Sequence, residues 1–202
     1  ILRLFKYPFL LNAFKKIALI PIEYICPGHG LIIRKNPEKF LEMYRKWCEE
    51  IEYHQNKVTI CYISSYGYTK KIAKALVEGL NRCNVIVKEY DLQSDNLEEA
   101  KKDLATSEGI MIGSPTILSD SLPQVYEVMS VLNPINNKGI SALAFGSYAW
   151  SGEAPLNINQ CFRMLRFNTP FEPIRIKLNP SEYDLEQIRN IGEEFAKNII
   201  KD

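Results

Sequence analysis

Val58-Thr59-Ile60-Cys61-Tyr62-Ile63 is an uninterrupted β-prone run, and Ser64-Ser65-Tyr66-Gly67-Tyr68-Thr69 follows it directly. A continuous run of this kind is typical of a strand that is buried on both faces of a parallel sheet. Beyond the polar run, apolar residues recur at helical spacing between positions 72 and 80. Together the three segments predict one strand–loop–helix unit of an α/β protein.

The same rhythm continues to the end of the chain. Further strands are predicted over residues 85–90, 109–113, 141–145 and 174–178, each followed by a segment with helical periodicity. Because crossovers between parallel strands are right-handed, the series predicts a doubly wound, five-stranded parallel sheet over residues 57–202. Ligands of such sheets bind beyond the carboxyl ends of the strands, so the loops after the first, third and fourth strands are the candidate site.

Composition and charge argue against several classes of protein. Of the 202 residues, 46% are hydrophobic and 24% charged, which is ordinary for a globular protein. Lys and Arg total 25 against 24 Asp and Glu, and this balance argues against a dedicated nucleic-acid binder. No apolar stretch is long enough and free enough of charge to predict a membrane span.

The cysteines and histidines narrow the field further. The five cysteines are odd in number and never form a C-x-x-C pair, which predicts reduced thiols in a cytoplasmic protein. The only two histidines, His29 and His54, argue against a self-contained multi-histidine metal site. The chain begins with Ile1 rather than Met, so we expect a fragment of a longer protein or a truncated relative.

The loop after the first strand predicts a phosphate site. A turn that leads into a helix directs backbone N–H groups at an anion, and the helix N-terminus adds partial positive charge. Hydroxyls donate without bringing a charge, and Gly67 allows a close approach. The loop matches neither the Walker A pattern nor G-x-G-x-x-G, and the alternative is an ordinary polar turn that caps the helix. The candidate residues are Ser64, Ser65, Tyr66, Gly67, Tyr68 and Thr69.

Two more loops at the same predicted edge carry ligand-like residues. Gly113-Ser114-Pro115-Thr116-Ile117 follows the third strand, and Gly146-Ser147-Tyr148-Ala149-Trp150-Ser151-Gly152-Glu153 follows the fourth. An aromatic pair beside glycines suits stacking on a flat heterocycle, although simple loop packing is the alternative. The candidate residues here are Ser114, Pro115, Thr116, Ile117, Ser147, Tyr148, Ala149, Trp150 and Gly152.

Residues 1–56 do not continue the β-α rhythm. A short strand is predicted over residues 22–26, followed by the loop Pro27-Gly28-His29-Gly30. Asn36 and Pro37 predict the start of a helix, whose apolar stripe is Phe40, Tyr44, Trp47 and Ile51. These elements amount to half a domain at most.

These motifs together resemble one known family. Residues 57–202 are similar to a flavodoxin domain, with residues 64–69 matching its hydroxyl-rich FMN phosphate loop. The runs at 113–117 and 146–154 resemble the flavodoxin domain of flavodiiron proteins, also called A-type flavoproteins. Ile25-Cys26-Pro27-Gly28-His29-Gly30 resembles the last loop of their metallo-β-lactamase-like domain. The chain departs from the family at Leu118, where an Asn is common, and at Ala149, where Gly is usual.

The resemblance implies a fold, a cofactor and a function. It implies a flavodoxin-like domain over residues 57–202 that binds FMN, preceded over residues 1–56 by the C-terminal fragment of a metallo-β-lactamase-like domain. In this family two non-haem irons reduce O2 or NO with electrons from FMN, and subunits pair head to tail. It therefore implies a homodimer that takes electrons from a donor such as rubredoxin or an NADH-dependent reductase.

For this chain alone the resemblance implies less. By motif position His29 is an iron ligand, but only in a complete di-iron protein, because the family's other ligand motifs are missing from the sequence. The chain is then an electron carrier, and an oxidoreductase only as part of a longer chain or complex. Two alternatives remain open: a flavodoxin-fold remnant without flavin that serves as an interaction domain, and an NAD(P)H-using flavin or quinone reductase.

Overall fold

The computed structural model describes residues 11–17, 19–47, 56–134, 137 and 139–200. The chain forms two compact units, Ile1–Glu52 and Tyr53–Asp202. In the first unit the helices are α1 (Leu11–Ile17) and α2 (Pro37–Trp47). In the second the elements are β1 (Lys57–Tyr62), α3 (Tyr68–Leu80), β2 (Ile86–Asp91), α4 (Leu97–Ala105), β3 (Gly109–Gly113), α5 (Pro123–Met129), β4 (Ser141–Tyr148), α6 (Ala154–Met164), β5 (Ile174–Lys177) and α7 (Glu182–Ile199).

The second unit contains the predicted sheet. Its five strands are all parallel and lie in the order β2-β1-β3-β4-β5. In the register, Tyr62 at the end of β1 lies opposite Gly113 at the end of β3, and Gly113 lies opposite Phe145 of β4. The carboxyl ends of these three strands therefore meet at one edge, and the flavodoxin-like fold class is confirmed.

Helices cover both faces of the sheet, which explains why the first strand is apolar throughout. Ile60 belongs to the core between the sheet and α3 and α7, together with Leu76 and Phe195. Its neighbour Cys61 belongs to the second core, which also contains Phe162 of α6. Because successive side chains point to opposite faces, every residue of β1 is buried.

Helices α3 and α7 approach each other backbone to backbone. A Cβ at Gly79 would lie 2.0 Å from the carbonyl oxygen of Arg189, and one at Gly192 would lie 2.7 Å from that of Leu76. Neither position has room for a methyl group, so both glycines are required by the close approach. Arg189 also pairs with Glu78, with Nε 2.6 Å from Oε2.

A buried ion pair lies at the opposite end of β1 from the candidate site. The Lys57 ammonium, only 2% exposed, is 2.6 Å from an oxygen of Asp103 and donates to the Thr106 hydroxyl at 2.9 Å. The hydroxyl of Tyr90 also donates to Asp103. Burial disfavours the charge of Asp103, but hydrogen bonds from Lys57 and Tyr90 outweigh it and hold the pKa of Asp103 below its ordinary value.

Several boundaries differ from those predicted. Strand β4 extends past residue 145 to Tyr148, because its last residues pair with β5. Helix α7 begins before its first apolar residue, because Ser181 and Asp184 form a capping box. Helix α6 begins at Ala154, with Pro155 in its first turn, where the missing N–H has no cost.

The first unit corrects one prediction. No strand forms over residues 22–26; instead Ile25 and Ile33 exchange a single pair of backbone hydrogen bonds at 3.0 and 2.9 Å. Pro21 and Pro27 flank the segment and lack the N–H groups that would extend the ladder. Helix α2 begins at Pro37 as predicted, with Phe40 and Tyr44 half-buried. The side chain of Trp47, and Ile51 as a whole, lie outside the described residues.

None of the helices in the described ranges is long and apolar enough to cross a bilayer.

Candidate functional site

Hydrogen bonds join the three predicted loops into one structure. The hydroxyl of Thr69, in the first turn of α3, lies 2.9 Å from the hydroxyl of Ser147, near the end of β4. The carbonyl of Ser147 accepts the Thr116 N–H at 2.9 Å, and the Thr116 hydroxyl accepts the Ala154 N–H at 3.1 Å. Three of the predicted residues, Thr69, Thr116 and Ser147, are therefore close together in the structure.

The β1–α3 loop has the features of an anion site. Gly67 has φ +81° and directly precedes α3, with no side chain capping the helix. Among the described residues, the backbone N–H groups of positions 65–68 have no hydrogen-bond partner. The buried Ser64 hydroxyl accepts the N–H of Lys70 at 3.2 Å, which leaves its own hydrogen to donate, and Ser65 is exposed. These donors lie at a helix N-terminus, where partial positive charge favours an anion.

Thr69 has a second role that its sequence position does not show. Its side chain is 1% exposed, and its hydroxyl is used in the buried hydrogen bond with Ser147, which is itself 6% exposed. Either hydroxyl can be the donor. Thr69 therefore holds the first turn of α3 against the end of β4, and direct contact with a phosphate stays a prediction.

The first residues of the β3–α5 loop are buried and have a structural role. Ser114 is fully buried; its N–H donates to the carbonyl of Phe145 at 3.1 Å, and its hydroxyl accepts the Leu122 N–H at 3.1 Å. A Cβ at Gly146 of β4 would lie 2.0 Å from the Ser114 carbonyl oxygen, so only glycine allows β4 and the β3–α5 loop to approach so closely. Ser114 and Pro115 are both buried, so they support the candidate site from the protein interior.

The same loop continues into a strained turn. Ile117 and Asp120 exchange backbone hydrogen bonds at 3.0 and 3.1 Å. Between them Leu118 and Ser119 have φ of 50° and 60°, the pair of positive values that a type I′ turn requires. For residues other than glycine this conformation costs roughly 1–2 kcal/mol each. The Asn that the family resemblance leads one to expect in place of Leu118 tolerates it better.

Asp120 anchors this turn, a role that its position in the sequence does not predict. One carboxylate oxygen accepts hydrogen bonds from the Tyr126 hydroxyl at 2.6 Å, the Ser121 N–H at 2.7 Å and the Asn157 amide at 2.9 Å. Burial disfavours the charged form, but these three bonds outweigh it and hold the pKa of Asp120 below its ordinary value. No local motif marks the residue, because its two side-chain partners come from α5 and α6.

The two predicted aromatic residues differ in their exposure to solvent. Tyr148, the last residue of β4, is half-buried, and its ring packs on the loop that follows: a Cβ at Gly152 would lie 2.8 Å from Tyr148 Cδ1. Trp150, by contrast, is 93% exposed, so its ring is almost entirely open to solvent. Large apolar side chains are also exposed on the other two loops, with Tyr66 82% and Leu118 97% exposed. Exposed apolar groups gathered at one edge are typical of a binding surface.

The predicted metal ligand lies in the first unit. His29 is exposed, as is its neighbour Cys26. Within the described ranges, no group of three or more His, Cys, Asp or Glu side chains could hold a metal ion. His54 lies outside the described residues. A di-iron centre needs several imidazole and carboxylate ligands, so the residues described here do not fit one by themselves.

Comparison with known proteins places this geometry in a family. The family model for flavodoxin matches residues 60–192. A type A flavoprotein of Rhodobacter capsulatus is 30% identical over 186 residues, which cover 89% of this chain and 43% of that protein. The crystal structure of the flavodiiron protein from Giardia intestinalis has a TM-score of 0.73 at 25% identity, covering 98% of this chain and 49% of that one. For rubredoxin oxygen:oxidoreductase from Desulfovibrio gigas the TM-score is 0.72 at 27% identity, covering 95% and 48%.

The chain thus spans about half the length of these relatives or less. The sheet order, the three loops and the matches agree with the predicted FMN-binding, electron-transferring flavoprotein, which is confirmed at the level of the family. The chain belongs to the flavodoxin family, in the form that flavodiiron proteins carry in their C-terminal part.

Proposed function

We propose that this chain binds one FMN at the three joined loops and serves as the electron-transferring part of a flavodiiron oxidoreductase. One observation carries the proposal: the backbone N–H groups of residues 65–68, which have no partner in the described part of the chain, lie on the same sheet edge as the exposed Trp150. The loops after β1 and β4 can therefore bind the phosphate and the aromatic ring of one ligand. FMN supplies reversible electron transfer when bound, and the protein holds and tunes it.

The phosphate is bound by neutral donors. The N–H groups of residues 65–68 and the hydroxyls of Ser64 and Ser65 supply hydrogen bonds. The neighbouring lysines already have partners, since the Lys70 ammonium is 3.4 Å from Asp91 and that of Lys71 is 2.8 Å from Asn179. Because the dianion is held by dipoles rather than paired charges, we expect FMN affinity to depend only weakly on salt.

The isoalloxazine ring packs on side chains that are exposed in this structure. Trp150 is the main stacking residue, because the ring of Tyr148 already lies against Gly152. Leu118 and Tyr66 complete the apolar surface. Covering these groups removes apolar area from water and excludes water from the flavin, which shifts its potential.

The rest of the flavodiiron protein is proposed from the extent of the matches. Residues 1–56 are the C-terminal fragment of a metallo-β-lactamase-like domain, and residues 57–202 are the flavodoxin domain. His29 ligates iron only in a complete di-iron protein, where O2 or NO is reduced. The assembly is a homodimer in the cytoplasm, and a rubredoxin or an NADH-dependent reductase donates the electrons. Free Cys26, Cys61, Cys83 and Cys161 suit a reducing compartment.

Cofactor analysis tests the proposal directly. The purified chain is reconstituted with FMN, its absorbance recorded, and the flavin released by heat and identified by mass. We expect one FMN per chain. Riboflavin, which lacks the phosphate, should bind at least about tenfold more weakly, since hydrogen bonds to a charged group are each worth about 1.5–3 kcal/mol.

Two results would overturn the proposal. Failure to bind any flavin would favour the interaction-domain alternative, and equal affinity for riboflavin and FMN would reject the phosphate loop. Bleaching of the bound flavin by NAD(P)H without a partner would favour the reductase alternative instead.

A further inference from the structure

The turn Ile117–Asp120 is held in a conformation that its own sequence disfavours. Leu118 and Ser119 both have positive φ, and neither is the Gly or Asn that such a turn favours. Positive φ at such residues persists only where surrounding contacts determine it. Leu118 at the tip is 97% exposed and lies on the loop that follows β3, at the proposed flavin site.

The contacts that determine it converge on Asp120. The hydroxyl of Tyr126 connects its carboxylate to α5 at 2.6 Å, and the amide of Asn157 connects it to α6 at 2.9 Å. The same amide lies 3.3 Å from the carbonyl of Ser119, so α6 binds the turn at two points. Hydrogen bonds to a charged acceptor are the stronger ones, and two of the three on this oxygen hold the turn from α5 and α6.

We infer that Asp120 is a positioning residue for the flavin site: its carboxylate holds the Ile117–Asp120 turn in the left-handed conformation and so fixes where Leu118 meets the cofactor. The inference rests on the proposed function and adds a residue that touches neither the phosphate nor the ring. If the inference is right, replacing Asp120 weakens flavin binding only when the turn is formed by residues that disfavour positive φ.

That dependence gives the experiment. Asp120→Ala and Asp120→Asn are made in the native chain and in a chain carrying Leu118→Asn and Ser119→Gly, a pair that adopts the type I′ turn by itself. FMN dissociation constants and flavin midpoint potentials are measured for all six proteins. In the native background we expect Asp120→Ala to weaken FMN binding about tenfold and to shift the potential, because the turn relaxes. In the Asn-Gly background the loss should be less than about twofold, since the turn no longer needs the anchor.

Asp120→Asn is the conservative control, because its amide oxygen still accepts the hydrogen bonds; we expect it to retain most of the native affinity. If Asp120→Ala does not fold, Tyr126→Phe removes one of the three bonds and should show the same dependence on background with a smaller loss. Tyr183→Phe, at an exposed position on α7, is its matched control.

Equal losses in the two backgrounds would overturn the inference, because Asp120 would then act independently of the turn. An unchanged affinity and potential for Asp120→Ala in the native background would overturn it as well. Failure of the proposed function is distinguishable, since the unsubstituted chain would then bind no FMN, and both conclusions would fall together.

Discussion

The buried hydrogen bond between Thr69 and Ser147 joins the first turn of α3 to the end of β4, and a double-mutant cycle can measure its contribution to stability. Thr69→Val replaces the hydroxyl by a methyl group of similar shape. The two oxygens are 2.9 Å apart, and the residues are 1% and 6% exposed, so no water replaces the lost partner. Leaving the Ser147 hydroxyl unpaired should cost about 1–3 kcal/mol of unfolding free energy. Ser147→Ala should cost a similar amount by leaving the Thr69 hydroxyl unpaired.

Combining the two substitutions removes both polar groups, which is nearly neutral when shape is kept. The double variant should therefore be more stable than the sum of the single losses predicts, with a coupling of about 1 kcal/mol or more. Urea unfolding of the flavin-free chains measures this coupling free energy, provided that the four proteins have equal denaturant slopes. Additive losses would refute the reasoning.

Flavin affinity in the same four proteins separates the two roles of Thr69. If its hydroxyl serves only to join the loops, Thr69→Val should weaken FMN binding and the added Ser147→Ala should restore part of the loss. If FMN affinity stays about tenfold lower in the double variant as well, the Thr69 hydroxyl contacts the phosphate, as the sequence predicts.

Three further perturbations test other parts of the structure. Gly146→Ala places a Cβ 2.0 Å from the Ser114 carbonyl, so we expect about 1–3 kcal/mol of destabilisation in urea unfolding and weaker FMN binding in a titration. Gly28 has open space around it, so Gly28→Ala is the control and should change neither quantity. Trp150→Ala should raise the fluorescence of bound flavin and shift its midpoint potential, whereas unchanged values would mean that Trp150 does not stack on the ring. The folded-state pKa of Asp103 is lowered, so its stabilising effect is complete above its ordinary pKa of 3.8 and is lost as pH falls through the lower folded value. Asp103→Asn should therefore be less stable at neutral pH but lose less stability on acidification, as measured by unfolding across that range.

The sheet could be predicted because its signals are local. A strand buried on both faces must be apolar throughout, and an amphipathic helix must follow it, so β1 and α3 can be located from one contiguous stretch. The position of the site then follows from topology, because the carboxyl ends of parallel strands meet at one edge.

The internal contacts of the site could not be predicted, because they join distant positions. Thr69 and Ser147 are brought together only by the fold of the sheet. Ser and Thr are also ordinary turn residues, so their presence does not by itself predict a contact. Tyr148 is half-buried because its ring lies against Gly152, whereas Trp150 stays exposed, and neither property can be seen in the sequence. Lys57 looks like an exposed residue at a strand end, yet it is buried because Asp103 of α4 comes to lie beside it.

The glycine contact between α3 and α7 has a consequence for how the protein matures. Helix α3 follows the proposed phosphate loop, and its apolar side packs in one core with Phe195 of α7, which is synthesised last among the described elements. Gly79 and Gly192 let these two helices meet backbone to backbone. Until α7 has left the ribosome, α3 lacks this packing, and domains generally fold as units. We expect flavin to be captured only after α7 has emerged, so that ribosome-stalled chains that end before residue 182 retain no cofactor.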